Sequence, residues 1–160
     1  MMLTKRYVSR WARGGIVGAV ALLLAGCITI PAYDSKTDEL LTGLQSDTDT
    51  FIAHLSNTYD TTTATGKACA YSQNVNSYQQ FHITLGLIST RANALYNDAA
   101  TVKAVSELST TFDAMEAVHK GAESRPDHCI LPVLLTTNQT ALDSAIGAIL
   151  KLELAKKGVK

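Results

Sequence analysis

Four histidines, three cysteines and fourteen carboxylates are the side chains of this sequence best suited to chemistry. His54, His82, His119 and His128 supply imidazoles, and three of them near one end of a fold could hold zinc or copper. No two of them stand four apart, as two ligands on one helical face would. Nor are the paired Glu-x-x-His motifs of di-iron bundles or the Cys-x-x-Cys-His of haem attachment met. Nucleophilic catalysis needs Ser or Cys beside His and an orienting acid, and no G-x-S-x-G elbow marks one. Asp47 and Asp49 lie two apart, on different faces of a helix, while Asp38 with Glu39 and Asp113 with Glu116 read as solvated faces. The expectation is no metal, no cofactor and no enzymatic activity, with an envelope hydrolase the least favoured alternative.

The elements that would position these groups are helices. Leu40, Leu41, Leu44, Thr48, Phe51, Ile52, Leu55 and Tyr59 recur at three- and four-residue steps and predict a helix over 35–59. Ser35 with Asp38 resembles a capping box with Asp in place of Glu. A polar run of threonines closed by Gly66 predicts a loop over 60–67. A second stripe, Tyr71, Val75, Tyr78, Phe81, Leu85, Ile88, Ala92 and Leu95, predicts a helix over 69–97. A third, Val102, Val105, Leu108, Phe112, Met115 and His119, predicts one over 101–120, stopped by Gly121 as a C-terminal cap residue. The fourth starts near Pro132, which suits a first turn. It runs through Leu135, Asn138, Leu142, Ala145, Ile146, Ile149 and Leu152 or Glu153 to about Gly158. Short connections between four amphipathic helices predict an all-α antiparallel bundle over 35–160. A three-helix core with the fourth helix docked outside is the alternative. The aromatic residues at helical spacing are expected to pack the core; a cavity lined by Tyr78, Phe81 and Phe112 would instead mark a ligand site.

The first 26 residues differ in kind. Residues 1–13 are basic and free of acids; residues 14–26 are apolar or small. This is the layout of a secretory signal. The uncharged stretch 14–31 is marginal for a spanning helix, which wants roughly 20 apolar residues. Leu24-Ala25-Gly26-Cys27 closes the signal, and it resembles the lipobox of bacterial lipoproteins. The resemblance covers residues 1–27 alone. It implies cleavage before Cys27, diacylglyceryl transfer to its thiol and acylation of the new amino group, so the one covalent addition expected is lipid. Several acyl chains give firm membrane attachment where one would not. Ile28 follows the cysteine where the inner-membrane retention signal of Gram-negative lipoproteins would carry Asp, which implies the outer membrane. Residues 28–33 form a tether that reaches at most about 20 Å at 3.3 Å per residue, so the domain sits close to the bilayer.

Past Cys27 all fourteen acids face ten Lys and Arg, a formal charge of −4 against zero for the full chain. That disfavours a nucleic-acid partner, which calls for clustered basic surface. Cys69 and Cys129 are the remaining cysteines, and in an exported chain two are expected to pair. Free thiols or a metal or redox use are the alternatives. In an up-down-up-down bundle both cysteines fall at the same end, at the starts of the second and fourth helices. Their bridge would close about 60 residues and contribute about 2–4 kcal/mol. The lipid end then holds Cys27, the turn 97–100 and the C-terminal lysines, of which Lys156, Lys157 and Lys160 could meet lipid headgroups or simply be solvated. The far end holds 60–69 and 121–131 with His54, His119 and His128. Lys67, Glu123, Arg125, Asp127 and His128 make that end the candidate surface for a protein partner, since loops on a rigid frame often carry recognition. The function expected is a non-enzymatic interaction or structural module, lipid-anchored at the periplasmic face of the outer membrane. The alternative is a periplasmic bundle that binds a small ligand or metal.

Overall fold

A computed structural model of the protein describes residues 30–59, 67–126 and 128–158. Cys27 and the signal, residues 60–66 of the expected loop, Asp127 and Lys160 lie outside the described residues. Four long helices follow one another: α1 (Ser35–Asn57), α2 (Tyr71–Ala94), α3 (Ala99–Ala122) and α4 (Pro132–Lys157), with a 3-10 turn at Lys67–Cys69 before α2. Each helix packs on its two neighbours in the ring α1–α2–α3–α4–α1. This is the antiparallel four-helix bundle that the stripes predict, with α4 an integral member rather than an outer addition.

The apolar stripes meet along the bundle axis. Leu41, Leu44 and Leu55 from α1, Tyr78 and Ile88 from α2, Leu108, Phe112 and Met115 from α3, and Leu135, Leu142 and Ile146 from α4 are essentially inaccessible. Fully burying such a side chain stabilises the fold by about 1.5–3 kcal/mol. Phe51, Phe81 and Phe112 form a chain of rings with successive centroids 5.4 and 5.2 Å apart, and Tyr78 packs edge-on to Phe51 at 5.2 Å. These aromatics therefore fill the core. Thr48 is fully buried, and its hydroxyl is satisfied by the Leu44 carbonyl at 2.7 Å.

Several boundaries and stripe positions depart from expectation for local reasons. Asp34, not Ser35, caps α1: its carboxylate accepts from the Lys36 amide at 3.2 Å and the Thr37 hydroxyl at 2.7 Å. In α2, Asn74 rather than Val75 turns inward, because its amide donates to the Ala68 and Ala70 carbonyls at 2.7 and 2.8 Å. The helix ends at Ala94, where Leu95 is extended and Asn97 takes a left-handed φ of 62°. Gly121 does not stop α3; the helix runs through it to Ala122, and Glu123 keeps a right-handed backbone. In α4 the in-phase residue is Glu153, and the stripe continues to Lys156.

Candidate functional site: the stapled end and the closed end

At one end of the bundle Cys69 and Cys129 form a disulfide, with Cα atoms 5.4 Å apart and 60 residues between them in sequence. It joins the 3-10 turn before α2 to the segment that leads into α4. Both cysteines are buried, at 1% and 0% exposure. His119, fully buried, sits beneath this staple. Its Nε2 lies 2.7 Å from the Cys69 carbonyl, and its Nδ1 lies 2.9 Å from the Tyr78 hydroxyl. A carbonyl can only accept, so Nε2 carries the proton and Nδ1 accepts from Tyr78. Burial pulls the imidazole below its usual range, which favours this neutral form. With both nitrogens engaged, His119 has no lone pair left for a metal.

Glu116 and His119 do stand three apart, the spacing of one Glu-x-x-His unit, but they turn to different partners. Glu116 accepts from the Tyr71 hydroxyl at 2.7 Å and pairs with His82 Nε2 at 2.6 Å. Burial pushes its carboxyl up, and the bonds from His82 and Tyr71 outweigh this and hold it below the ordinary range. Asp113 lies 3.8 Å from the other His82 nitrogen and is largely exposed. Glu116 is thus part of a polar bridge between α2 and α3 rather than a solvated face. Among the described residues no group of three or more His, Cys, Asp or Glu is arranged to hold a metal ion.

The five residues expected to face a partner separate on inspection. Glu123 is committed to the fold. Its Oε1 accepts from the Ser72 backbone N–H at 2.6 Å, in the first turn of α2. The residue that precedes this helix is Ala70, which has no capping side chain. A carboxylate from the end of α3 therefore does the work of an N-cap, favoured by the positive end of the helix dipole. The Ser72 amide accordingly holds Glu123 below the usual carboxylate range. His128 takes a left-handed φ of 56° immediately before Cys129 and is half-buried, as is Arg125. Asp127 and the Lys67 side chain lie outside what the structure describes. Beyond the staple, Leu131, Val133 and Leu134 are exposed at 37%, 68% and 39%. His54, at the end of α1, is also exposed and borders an open groove of about 540 Å³ between α1 and α2.

The opposite end holds a cluster that sequence reasoning missed. Lys156, 7% exposed, donates to Asp98 at 2.7 Å, Glu153 at 2.5 Å and the Thr101 hydroxyl at 2.9 Å. Asp98, Thr101 and Glu153 are at most 3% exposed. Lys156 is therefore neither a headgroup-facing nor a solvated charge; it ties the last turn of α4 to the first turn of α3. The signal for this was present, since Glu153 and Lys156 continue the phase of Leu142, Ile146 and Ile149. Nearby, Arg91 clamps Asp34 through two bonds of 2.6 and 2.7 Å. That guanidinium holds the Asp34 carboxyl well below the ordinary range. Lys157 lies over the Tyr33 ring, 5.3 Å from its centroid. The chain that enters from residue 30 is thus fastened to both α2 and α4.

Comparison with protein-family models, with curated proteins and with solved structures finds no match to this chain.

Proposed function

We propose that this protein is a lipid-anchored, non-enzymatic module of the cell envelope that offers the stapled end of its bundle, and the adjoining face of α4, to a protein partner. The reading starts from the lipobox-like Leu24-Ala25-Gly26-Cys27. The observation that carries it is the character of the α4 face. Val133, Thr136, Thr137, Thr140, Ala141 and Ser144 line one shallow depression on its outer side. The four hydroxyls are bonded to carbonyls of their own helix four residues back, at 3.2, 3.0, 3.0 and 2.7 Å. The single donor proton of each hydroxyl is therefore spent inside the helix, so these exposed side chains keep only acceptor sites for other partners. With Leu131 and Leu134 beside it, this is an exposed face of small and apolar groups, suited to close packing against a partner rather than to water.

The test is in-cell photo-crosslinking, with a photoreactive residue placed singly at His128, Val133, Thr137 or Lys103. A discrete protein adduct from the first three and not from Lys103, at the other end of the bundle, is the expected result. Uniform absence of adducts in cells that anchor the protein correctly would overturn the reading. A second reading, binding of a small polar ligand, is supported by the α1–α2 groove, where His54, Asn76, Ser77 and Gln80 stand around Phe51 and Phe81. Native mass spectrometry of the protein taken from cells would detect such a ligand as added mass lost on Gln80→Ala substitution.

A further inference from the structure

The end of the bundle where the described chain begins has an unusual surface. Ile30, Tyr96 and Leu154 are exposed at 43%, 77% and 53%, and they come from three different segments: the entering chain, the α2–α3 turn and the last turns of α4. Tyr33 and Lys157, which stack on one another, bring the entering chain against the end of α4. The Asp34–Arg91 pair brings it against the end of α2. Large apolar and aromatic groups gathered at one end of a small soluble bundle need a reason.

The acids of this end are turned away from its surface or held by protein donors. Asp98 and Glu153 face inward onto Lys156. Asp34 is held by Arg91, Glu39 by Lys36 at 2.8 Å, and Asp38 accepts from the Tyr33 hydroxyl at 2.8 Å. Lys151 and Lys157 remain exposed. Glu39 and Glu107 stay exposed at 70% and 67% beside Lys36 and Lys103, and Lys151 and Lys157 add cations to this mixed charge, beside an aromatic and two aliphatic side chains. This composition matches a membrane–water interface, where Tyr sits at headgroup level and lysines meet anionic lipid.

We infer that this end of the bundle rests directly on the bilayer, with Tyr96 and Leu154 inserted at headgroup level and Lys151 and Lys157 over anionic lipid. The inference rests on the lipid-anchor reading, because the position of Cys27 is what names the occupant. Two residues separate Cys27 from Ile30, three steps along the chain and a reach of at most about 10 Å whatever their conformation. An acylated Cys27 therefore brings this end, and not the stapled end, to the membrane. The buried Lys156 cluster then has a second consequence: it removes two carboxylates from a surface where they would be repelled by anionic headgroups. The helices stand upright, with the disulfide as far from the lipid as the bundle allows.

The test uses the full chain carrying Trp11→Phe, so that one introduced tryptophan is the only one. It is made in a bacterial host, purified in detergent and reconstituted into phosphatidylethanolamine–phosphatidylglycerol vesicles with brominated acyl chains. Tyr96→Trp and Leu154→Trp report this end, and Val133→Trp reports the other; all three positions are exposed, so the packing is left intact. Intact mass reads cleavage and acylation independently. The expected result is several-fold stronger bromine quenching and a blue-shifted emission for Tyr96→Trp and Leu154→Trp than for Val133→Trp. Equal quenching of all three in a chain whose mass shows acylation would overturn the inference and leave the anchor standing. Selective quenching in a chain whose mass shows no acyl group would support the resting end and overturn the anchor. Neither selective quenching nor acyl mass would overturn both.

Discussion

Replacing Lys156 by Met tests whether the closed end is held by a buried charge cluster. Methionine keeps most of the apolar stem and removes the cation. In the native bundle Lys156 makes two charge-assisted bonds, to Asp98 at 2.7 Å and Glu153 at 2.5 Å, and one to Thr101 at 2.9 Å. A bond to a charged group contributes about 1.5–3 kcal/mol and a neutral one about 1. Relief from burying the ammonium offsets part of that gain. What remains after substitution is two carboxylates, each with 1% side-chain exposure, facing one another without a cation. Removing one partner of a buried pair costs about 3–5 kcal/mol, a large share of the ~5–15 kcal/mol that holds a domain together. Urea unfolding followed by far-ultraviolet circular dichroism should show the midpoint fall with an unchanged slope. The triple variant Lys156→Met, Asp98→Asn, Glu153→Gln should recover much of the loss, because no uncompensated charge is left. A loss below about 1 kcal/mol for the single variant, as expected of an exposed ion pair, would refute the reasoning. So would a triple variant no more stable than the single one.

Replacing Cys69 and Cys129 together by Ser should lower stability by about 4 kcal/mol in the chain-entropy view of a 60-residue loop, read as a drop in Tm. Acidification should weaken the fold through His119. Its imidazole is held below the unfolded value by burial, so the unfolded chain binds a proton near pH 6.5 that the folded chain refuses until lower pH. Stability should therefore fall as pH drops below about 6.5, and His119→Gln should flatten that segment of the profile. Asp34, Glu116 and Glu123 act in a separate window, since their carboxyls are held low in the fold. Their contribution is present above about pH 4 and is lost as pH falls below it. Glu123→Ala should cost about 1 kcal/mol, the usual worth of an N-cap. Hydrogen exchange should localise the effect to the first turn of α2, although the change is made at the end of α3.

The order, number and phase of the helices were legible in the sequence, because each helix buries a stripe that recurs every three or four residues. The disulfide was legible too, because an up-down-up-down path sends the starts of α2 and α4 to the same end. Local chemistry misled where a distant group supplied the missing partner. Ala70 offers no cap, and only the fold brings Glu123 to the Ser72 amide. Asp113-x-x-Glu116 looks like a solvated face until Tyr71 and His82 arrive from α2. His119 reads as one more imidazole near a loop, and only its placement under the staple occupies both nitrogens. Lys156 reads as a charge that suits a helix C-terminus, and only the first turn of α3 turns it into a buried tie. Periodicity records which face a residue is on, and that much the chain states by itself. Which group across the interface satisfies a polar side chain depends on helix rotation, register and distance, and those are set only when the four helices pack.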